Sequence, residues 1–259
     1  MLAYFGGPEV TLSSVVLEPE HSLLAQSYAP KEMLSGVVNA DGFGVGWYAP
    51  YIDEEPAVYR TDGPLWSDRS FAGISTRILA RSIFAAVRSA TPGLPVEESA
   101  VPPFSSGRFM FMHNGAIDNF RRTAMRPLRD ALSEESYAGL LGSTDSETIF
   151  ALLLDRLRED KDLAGATVGA IRYVHKICVG MGVRATLNVG VTDGGAMAFA
   201  RYSTEGPENS LYFVEDGEAF PGAVVVASER LDGNDGWIEV PVRHLLVVDH
   251  EGGASLRPL

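Results

Sequence analysis

The sequence is poor in the features that hold small secreted or metal-bound proteins together. It has one cysteine, Cys178, so no internal disulfide can form, which points to a reducing compartment. Its five histidines (His21, His113, His175, His244 and His250) show no paired ligand spacing, so no metal is expected. Basic charge is scarce: 21 Lys and Arg stand against 34 Asp and Glu, a balance of 21 − 34 = −13. That excess argues against a nucleic-acid backbone or an anionic membrane as the main partner. The densest basic spot, Arg121-Arg122, reads as a solvated helix face. No apolar run approaches a membrane span. No basic stretch followed by an apolar one opens the chain, so no signal peptide is expected and a cytoplasmic protein is. No repeat period and no low-complexity linker divides it, so one domain over residues 1–259 is expected.

What is present is ordinary globular material. Hydrophobic residues make up 46% and charged residues 21%, enough apolar side chain for a real core without staples. A folded surface of about 11,000 Å² is expected at this size. Strands are expected at Leu2 to Phe5, Gly44 to Tyr48, Ala57 to Arg60, Ser82 to Arg88 and Arg108 to His113. Helical fragments are expected at Leu12 to Leu17 and His21 to Gln26. A longer helix is expected over Asp68 to Ala80 with Asp68 as its cap. Pro92, Pro95, Pro102 and Pro103 make 92–103 an irregular loop.

The middle reads as helical. Asn119 to Leu132 opens it. Ser143-Thr144-Asp145-Ser146-Glu147 starts a helix whose Ile149, Leu152, Leu153 and Leu157 share a face, and Leu163 to Val179 continues. Strands return at Ala185 to Thr192, Ala196 to Tyr202, Leu211 to Val214, Ala223 to Ser228 and Leu245 to Asp249. Strands, then helices, then strands, without βαβ alternation, predict an α+β fold.

Five segments could carry chemistry. Asn39 to Tyr48 holds the densest glycine cluster. A dinucleotide fingerprint needs its glycines to follow a strand and open a helix, whereas here a strand follows. A tight turn with close backbone approach is the better reading. Arg88 ends an apolar strand, and its planar fork suits a carboxylate, whether in a structural ion pair or in a ligand. Asn114-Gly115 ends another. The Asn amide and the Gly N–H could face one oxyanion, although the spacing alone favours a hairpin turn. Asp145 reads as a cap or as a holder of an ammonium group. His113 could act as a base, but reads more simply as a satisfied structural histidine. Cys178, in the apolar helix segment Ile177-Cys178-Val179, reads as a buried inert thiol.

Taken in order, further segments carry a resemblance. They are Gln26-Ser27-Tyr28-Ala29-Pro30, Asn39-Ala40-Asp41-Gly42-Phe43-Gly44, Pro64-Leu65-Trp66-Ser67-Asp68, Ala86-Val87-Arg88-Ser89-Ala90-Thr91 and Pro103-Phe104-Ser105. His113-Asn114-Gly115, Thr144-Asp145-Ser146, Leu187-Asn188, Ala227-Ser228-Glu229 and Gly236-Trp237 complete them. The chain resembles the class II glutamine amidotransferases of the N-terminal-nucleophile type, nearly end to end. More narrowly it resembles the amidohydrolases that cleave γ-glutamyl-hercynylcysteine sulfoxide in ergothioneine biosynthesis.

The resemblance implies a four-layer αββα sandwich. It implies that Arg88 grips the α-carboxylate of a γ-glutamyl group, that Asp145 holds its α-ammonium, and that Asn114 and the Gly115 amide stabilise the oxyanion. Ser89, Ala90, Thr91 and His113 would line the same pocket. The implied partner is a small γ-glutamyl substrate, with no cofactor. Oligomeric state, a homo-oligomer included, stays open. Tyr28, Trp47 and Trp66 could cage a quaternary ammonium in the amine half, although core aromatics are commoner.

The family begins Met-Cys-Arg-x-Leu and uses the exposed Cys as nucleophile, with its own α-amine as base. This sequence begins Met1-Leu2-Ala3-Tyr4-Phe5, and Met1 falls at the family's variable position. Two accounts fit. The start was assigned late, at an internal Met, or the chain is a pseudoenzyme that still binds γ-glutamyl compounds. Retention of the other pocket residues favours the first. The polypeptide without that Cys is expected to be inactive. A glutaminase subunit feeding ammonia to a separate synthetase is the remaining alternative.

Overall fold

The computed structural model describes residues 1–34, 36–90, 97–160 and 162–259. Alternation along the strands decides the layering. In β1 (Leu2–Thr11), Leu2 and Tyr4 point to one side and Ala3 and Phe5 to the other, and all four are buried. A strand buried on both faces must lie between two layers. The chain continues through α1 (Leu12–Val16), α2 (Leu23–Tyr28), β2 (Phe43–Trp47), β3 (Ala57–Thr61), α3 (Arg69–Ser75) and β4 (Leu79–Val87). Next come β5 (Phe104–Ser106), β6 (Phe109–Ile117), α4 (Met125–Arg129), α5 (Glu134–Ala138), α6 (Asp145–Asp160) and α7 (Leu163–Gly180). The last strands are β7 (Ala185–Thr192), β8 (Met197–Ser203), β9 (Tyr212–Gly217), β10 (Phe220–Ala227), β11 (Ile238–Glu239), β12 (His244–Val248) and β13 (Ala254–Pro258).

Two antiparallel sheets form. One has seven strands in the order β11-β9-β10-β1-β4-β2-β3, the other six in the order β13-β12-β8-β7-β6-β5. Leu2, Tyr4, Ile83 and Ala85 pack under Leu12, Val15, Leu23 and Phe71 of the first helices. Met1, Ala3, Phe84 and Ala86 meet Met110, Met112, Phe199 and Leu246 between the sheets. Phe111, Leu187 and Val189 face Ile149, Leu152, Leu153, Val174 and Cys178 of α6 and α7. Helix, sheet, sheet, helix is the expected αββα sandwich, and its surface of 11661 Å² is near the size-based value. Among the described residues no helix is long and apolar enough to cross a membrane.

Several local expectations need correction. The strand expected over Leu2 to Phe5 runs on to Thr11, because an irregularity between Phe5 and Val10 absorbs Gly6-Gly7-Pro8 without ending the pairing. Asp68 does cap its helix, accepting Phe71 N–H at 2.8 Å, but the helix stops at Ser75 and Leu79-Ala80 join β4. Asn119 to Leu132 is not one helix. It holds a 3₁₀ turn over Phe120–Arg122 and then α4, with Pro127 in the first helical turn, where its missing N–H is harmless. Asn114-Gly115 lies inside β6, not in a hairpin turn, paired with Asn188 and Leu187. Of the loop expected at 92–103, residues 92–96 fall outside the described residues, and Glu98–Ala100 form a 3₁₀ turn.

Candidate active site

Strand parity sorts the site residues. On β4, Phe84 and Ala86 face the other sheet, so Arg88, one residue beyond the strand, continues on that side. Its backbone is held through both polar groups by the stretch leading into β2: Arg88 N–H donates to Gly42 O at 2.8 Å, and Asp41 N–H donates to Arg88 O at 3.0 Å. Asp41 Oδ2 also accepts Ala90 N–H at 2.8 Å. The glycine cluster makes this close approach feasible. A Cβ on Gly42, at φ +117°, would lie 2.8 Å from Thr61 O, and one on Gly44 would lie 2.3 Å from Pro102 O. The cluster is a packing device that feeds β2, not a dinucleotide loop.

The Arg88 side chain is buried, 9% exposed. Its one hydrogen bond among the described residues runs to Asp41 O at 3.3 Å, and no carboxylate lies within ion-pair reach. Burial lowers its pKa from the usual arginine value, opposed by the charges of Asp41 and Glu97. Guanidinium keeps its proton all the same. A buried cation without an anion is an unfinished ion pair.

On β6, Met110 and Met112 face the inter-sheet core, so Asn114 shares that side with Arg88. Gly115 is exposed, and a Cβ there would lie 1.9 Å from Thr186 O. His113 takes the opposite side. Its Nδ1 meets Ser146 Oγ at 2.9 Å and its Nε2 meets Thr186 O at 3.2 Å. Asp145 opens α6 and ties it to β6, accepting Ile117 N–H and Ser146 N–H, each at 2.8 Å. No cation lies within ion-pair reach of Asp145 among the described residues. The geometry thus gathers Arg88 and Asn114 between the sheets, while His113 and Asp145 sit at the sheet–helix boundary. Ser89 is exposed, Ala90 half-buried, and Thr91 lies outside the described residues.

The start of β1 completes the surroundings. Met1 N donates to Ser228 Oγ at 2.9 Å, and Ser228 N–H donates to Met1 O at 3.0 Å. Burial drives the α-amine down to about 6, against the pull of Glu229. Glu229 is engaged by His21 Nε2 at 2.6 Å and by Lys31 N–H at 2.8 Å. Cys178 is fully buried between α7 and its sheet, and burial pushes its thiol up to about 11, as expected of an inert group. Among the described residues no cluster of His, Cys, Asp and Glu could hold a metal. Sequence reasoning missed Asn209, Ser210 and Arg201, which bridge the two sheets beside Asn114. They lie in no motif, and only spatial proximity reveals them.

Comparison with known families decides the lineage. The family profile described as class-II glutamine amidotransferases matches residues 25–220. The chain belongs to that family. It is 35% identical over 249 residues to the γ-glutamyl-hercynylcysteine sulfoxide hydrolase of Mycolicibacterium smegmatis, covering 95% of this chain and 94% of the relative. The hydrolase of that name from Mycobacterium tuberculosis is 36% identical, covering 95% and 91%. A probable glutamine amidotransferase of Saccharomyces cerevisiae is 29% identical, covering 95% and 80%. Among solved structures, a class-II glutamine amidotransferase domain protein from Silicibacter pomeroyi superposes with a TM-score of 0.73 at 25% identity, over 100% of this chain and 98% of that one. The glutamine phosphoribosylpyrophosphate amidotransferase of Bacillus subtilis shares the fold at a TM-score of 0.64 and 15% identity, over 99% of this chain and 48% of that one. This class-II amidotransferase chain therefore pairs a family core with a buried arginine, Arg88, that no carboxylate among the described residues pairs.

Proposed function

We propose that the protein is an amidohydrolase that releases glutamate from γ-glutamyl-hercynylcysteine sulfoxide in ergothioneine biosynthesis, using a Cys that precedes Met1 as nucleophile. The observation that carries this reading is Arg88, buried with one hydrogen bond and no paired carboxylate among the described residues. An α-amino acid head group supplies what the two charges lack. Its carboxylate would take the Arg88 fork, and its ammonium the free lone pairs of Asp145.

Register supports the nucleophile. Leu2 pairs with Ala85 on β4 and with Ala227 on β10. Continued two residues ahead of Met1, that antiparallel register would set a side chain level with Arg88, on the Met1 face shared with Asn114. A thiolate there would attack the γ-carbonyl, and the Asn114 amide and Gly115 N–H would hold the oxyanion. The amine half would leave carrying a proton from the nucleophile's α-ammonium. Water would then cleave the thioester to glutamate and restore the thiol. No cofactor enters.

The test compares the 259-residue chain with one extended by Cys-Arg before Met1, following glutamate release from the sulfoxide and from glutamine. Only the extended chain should turn over, with the sulfoxide preferred. Release by the 259-residue chain would sink the N-terminal Cys assignment. Partner-stimulated ammonia release from glutamine would indicate a glutaminase subunit. Binding without turnover in the extended chain would indicate a binding protein. The intact mass of the protein from its native host tests the start directly.

A further inference from the structure

One short segment, residues 209–210, connects the two halves of this site. Asn209 Nδ2 donates to Asn114 O at 3.1 Å. The backbone carbonyl of Asn209 is itself held by Arg201 Nε at 2.8 Å and Asn188 Nδ2 at 3.4 Å. Asn188 Nδ2 also donates to Ser210 O at 2.7 Å, and Ser210 Oγ donates to Ser228 O at 2.7 Å. Ser228 in turn grips Met1 through its own N–H and Oγ. The segment thus reaches from β6 in one sheet to the start of β1 in the other. Both Arg201 and Asn188 are buried, so the clasp rests on fixed groups.

The carbonyl that Asn209 grips belongs to the same peptide unit as Gly115 N–H. That unit is planar and trans, so its C=O and N–H point in opposite directions, and fixing one aims the other. At Asn114, β6 has a pairing neighbour on one side only, since β5 pairs no further along it than Phe111. The peptide therefore needs a second hold. We infer that Asn209 is a positioning residue: it aims the Gly115 N–H at the oxyanion, while Ser210 ties that peptide to the strand that carries the nucleophile. This rests on the amidohydrolase reading given above, and it adds a residue that touches no substrate.

The test uses the chain extended by Cys-Arg, with N209A and the isosteric N209D, which swaps the donor for an acceptor. A chromogenic γ-glutamyl anilide reports kcat and KM. Asn114-Gly115 is the chain's sole Asn-Gly pair, so ¹³C′-Asn with ¹⁵N-Gly labelling gives one amide signal for that peptide. Both variants should lower kcat about 10- to 100-fold with KM within about threefold, since a misaimed donor weakens the transition state and leaves the ground state bound. The Gly115 signal should move in both. Unchanged kcat in a folded variant would overturn the inference, as would a loss confined to KM. Should the extended chain itself show no turnover, the amidohydrolase reading fails, and the Gly115 signal alone decides. A signal unmoved by N209D refutes the aiming role, and a moved one upholds it.

Discussion

Arg88 and Arg201 are buried to nearly the same depth, 9% and 8% exposed, and both lie on the side of their sheets that faces the space between them, Arg201 within β8 and Arg88 just past the end of β4. Their surroundings differ sharply. Arg201 donates to Asn209 O at 2.8 Å, to Val240 O at 2.7 Å and to the carboxylate of Glu239. Among the described residues Arg88 donates once, at 3.3 Å, to a backbone carbonyl. Arg201 is saturated by its own chain, whereas Arg88 is left short, as the carboxylate-binding role proposed for it would require. The proposal reads that shortfall as room for a ligand's anion.

The comparison can be broken in four ways. R88A in the Cys-Arg-extended chain should cut kcat/KM by about 10²- to 10³-fold, because one partner of a buried charge pair is removed, and it should leave the melting temperature nearly unchanged. Steady-state kinetics beside calorimetry would check both. R88K should recover little, since an ammonium cannot reproduce the fork. R201M should do the reverse. It orphans the buried Val240 carbonyl, leaves Asn209 O with only Asn188 Nδ2 and leaves Glu239 without its cation, so denaturant unfolding should show a loss of about 2–4 kcal/mol. If R201M instead spared stability, the contrast between the two arginines would collapse.

The third test concerns another buried cationic group on the same face, the Met1 α-amine. Its folded pKa is about 6, below the unfolded value of 8.0. Between those values the unfolded chain binds a proton that the folded chain refuses. Stability should therefore rise from pH 6 to pH 8, by up to about 3 kcal/mol, and fall again on acidification. In the extended chain that nitrogen is an amide, and the rise should vanish. Urea titrations of both chains across this range would show it. The smallest effect is expected at Cys178. C178A removes a small buried group, so stability should drop by about 1 kcal/mol, and in the extended chain turnover should be untouched.

Much of the architecture was legible because local rules and burial agree. Asp145 at a helix start followed by Ile149, Leu152, Leu153 and Leu157 gave α6, and the apolar run up to Arg88 gave β4. The strands β5, β11 and β13 carried no readable pattern. They lie at or near sheet edges, are short or exposed, and owe their shape to a neighbour's register. Asn114-Gly115 read as a turn because its dipeptide favours one, yet pairing with β7 overrode that preference. Arg88 was legible as a charge at a strand end, but only the fold shows it lacking a carboxylate. Asn209 was invisible, since its contact with Asn114 joins positions 95 apart.

The pairing of β1 also sets a timetable. Met1 bonds to Ser228, 227 positions away, and β1 occupies the interior of its sheet between β10 and β4. On the ribosome its slot cannot close until β10 has emerged, so β1 stays unpaired on that side through most of synthesis. Once the slot closes, Met1 is buried, 6% exposed. The pairing that positions the site is therefore among the last to form in its sheet.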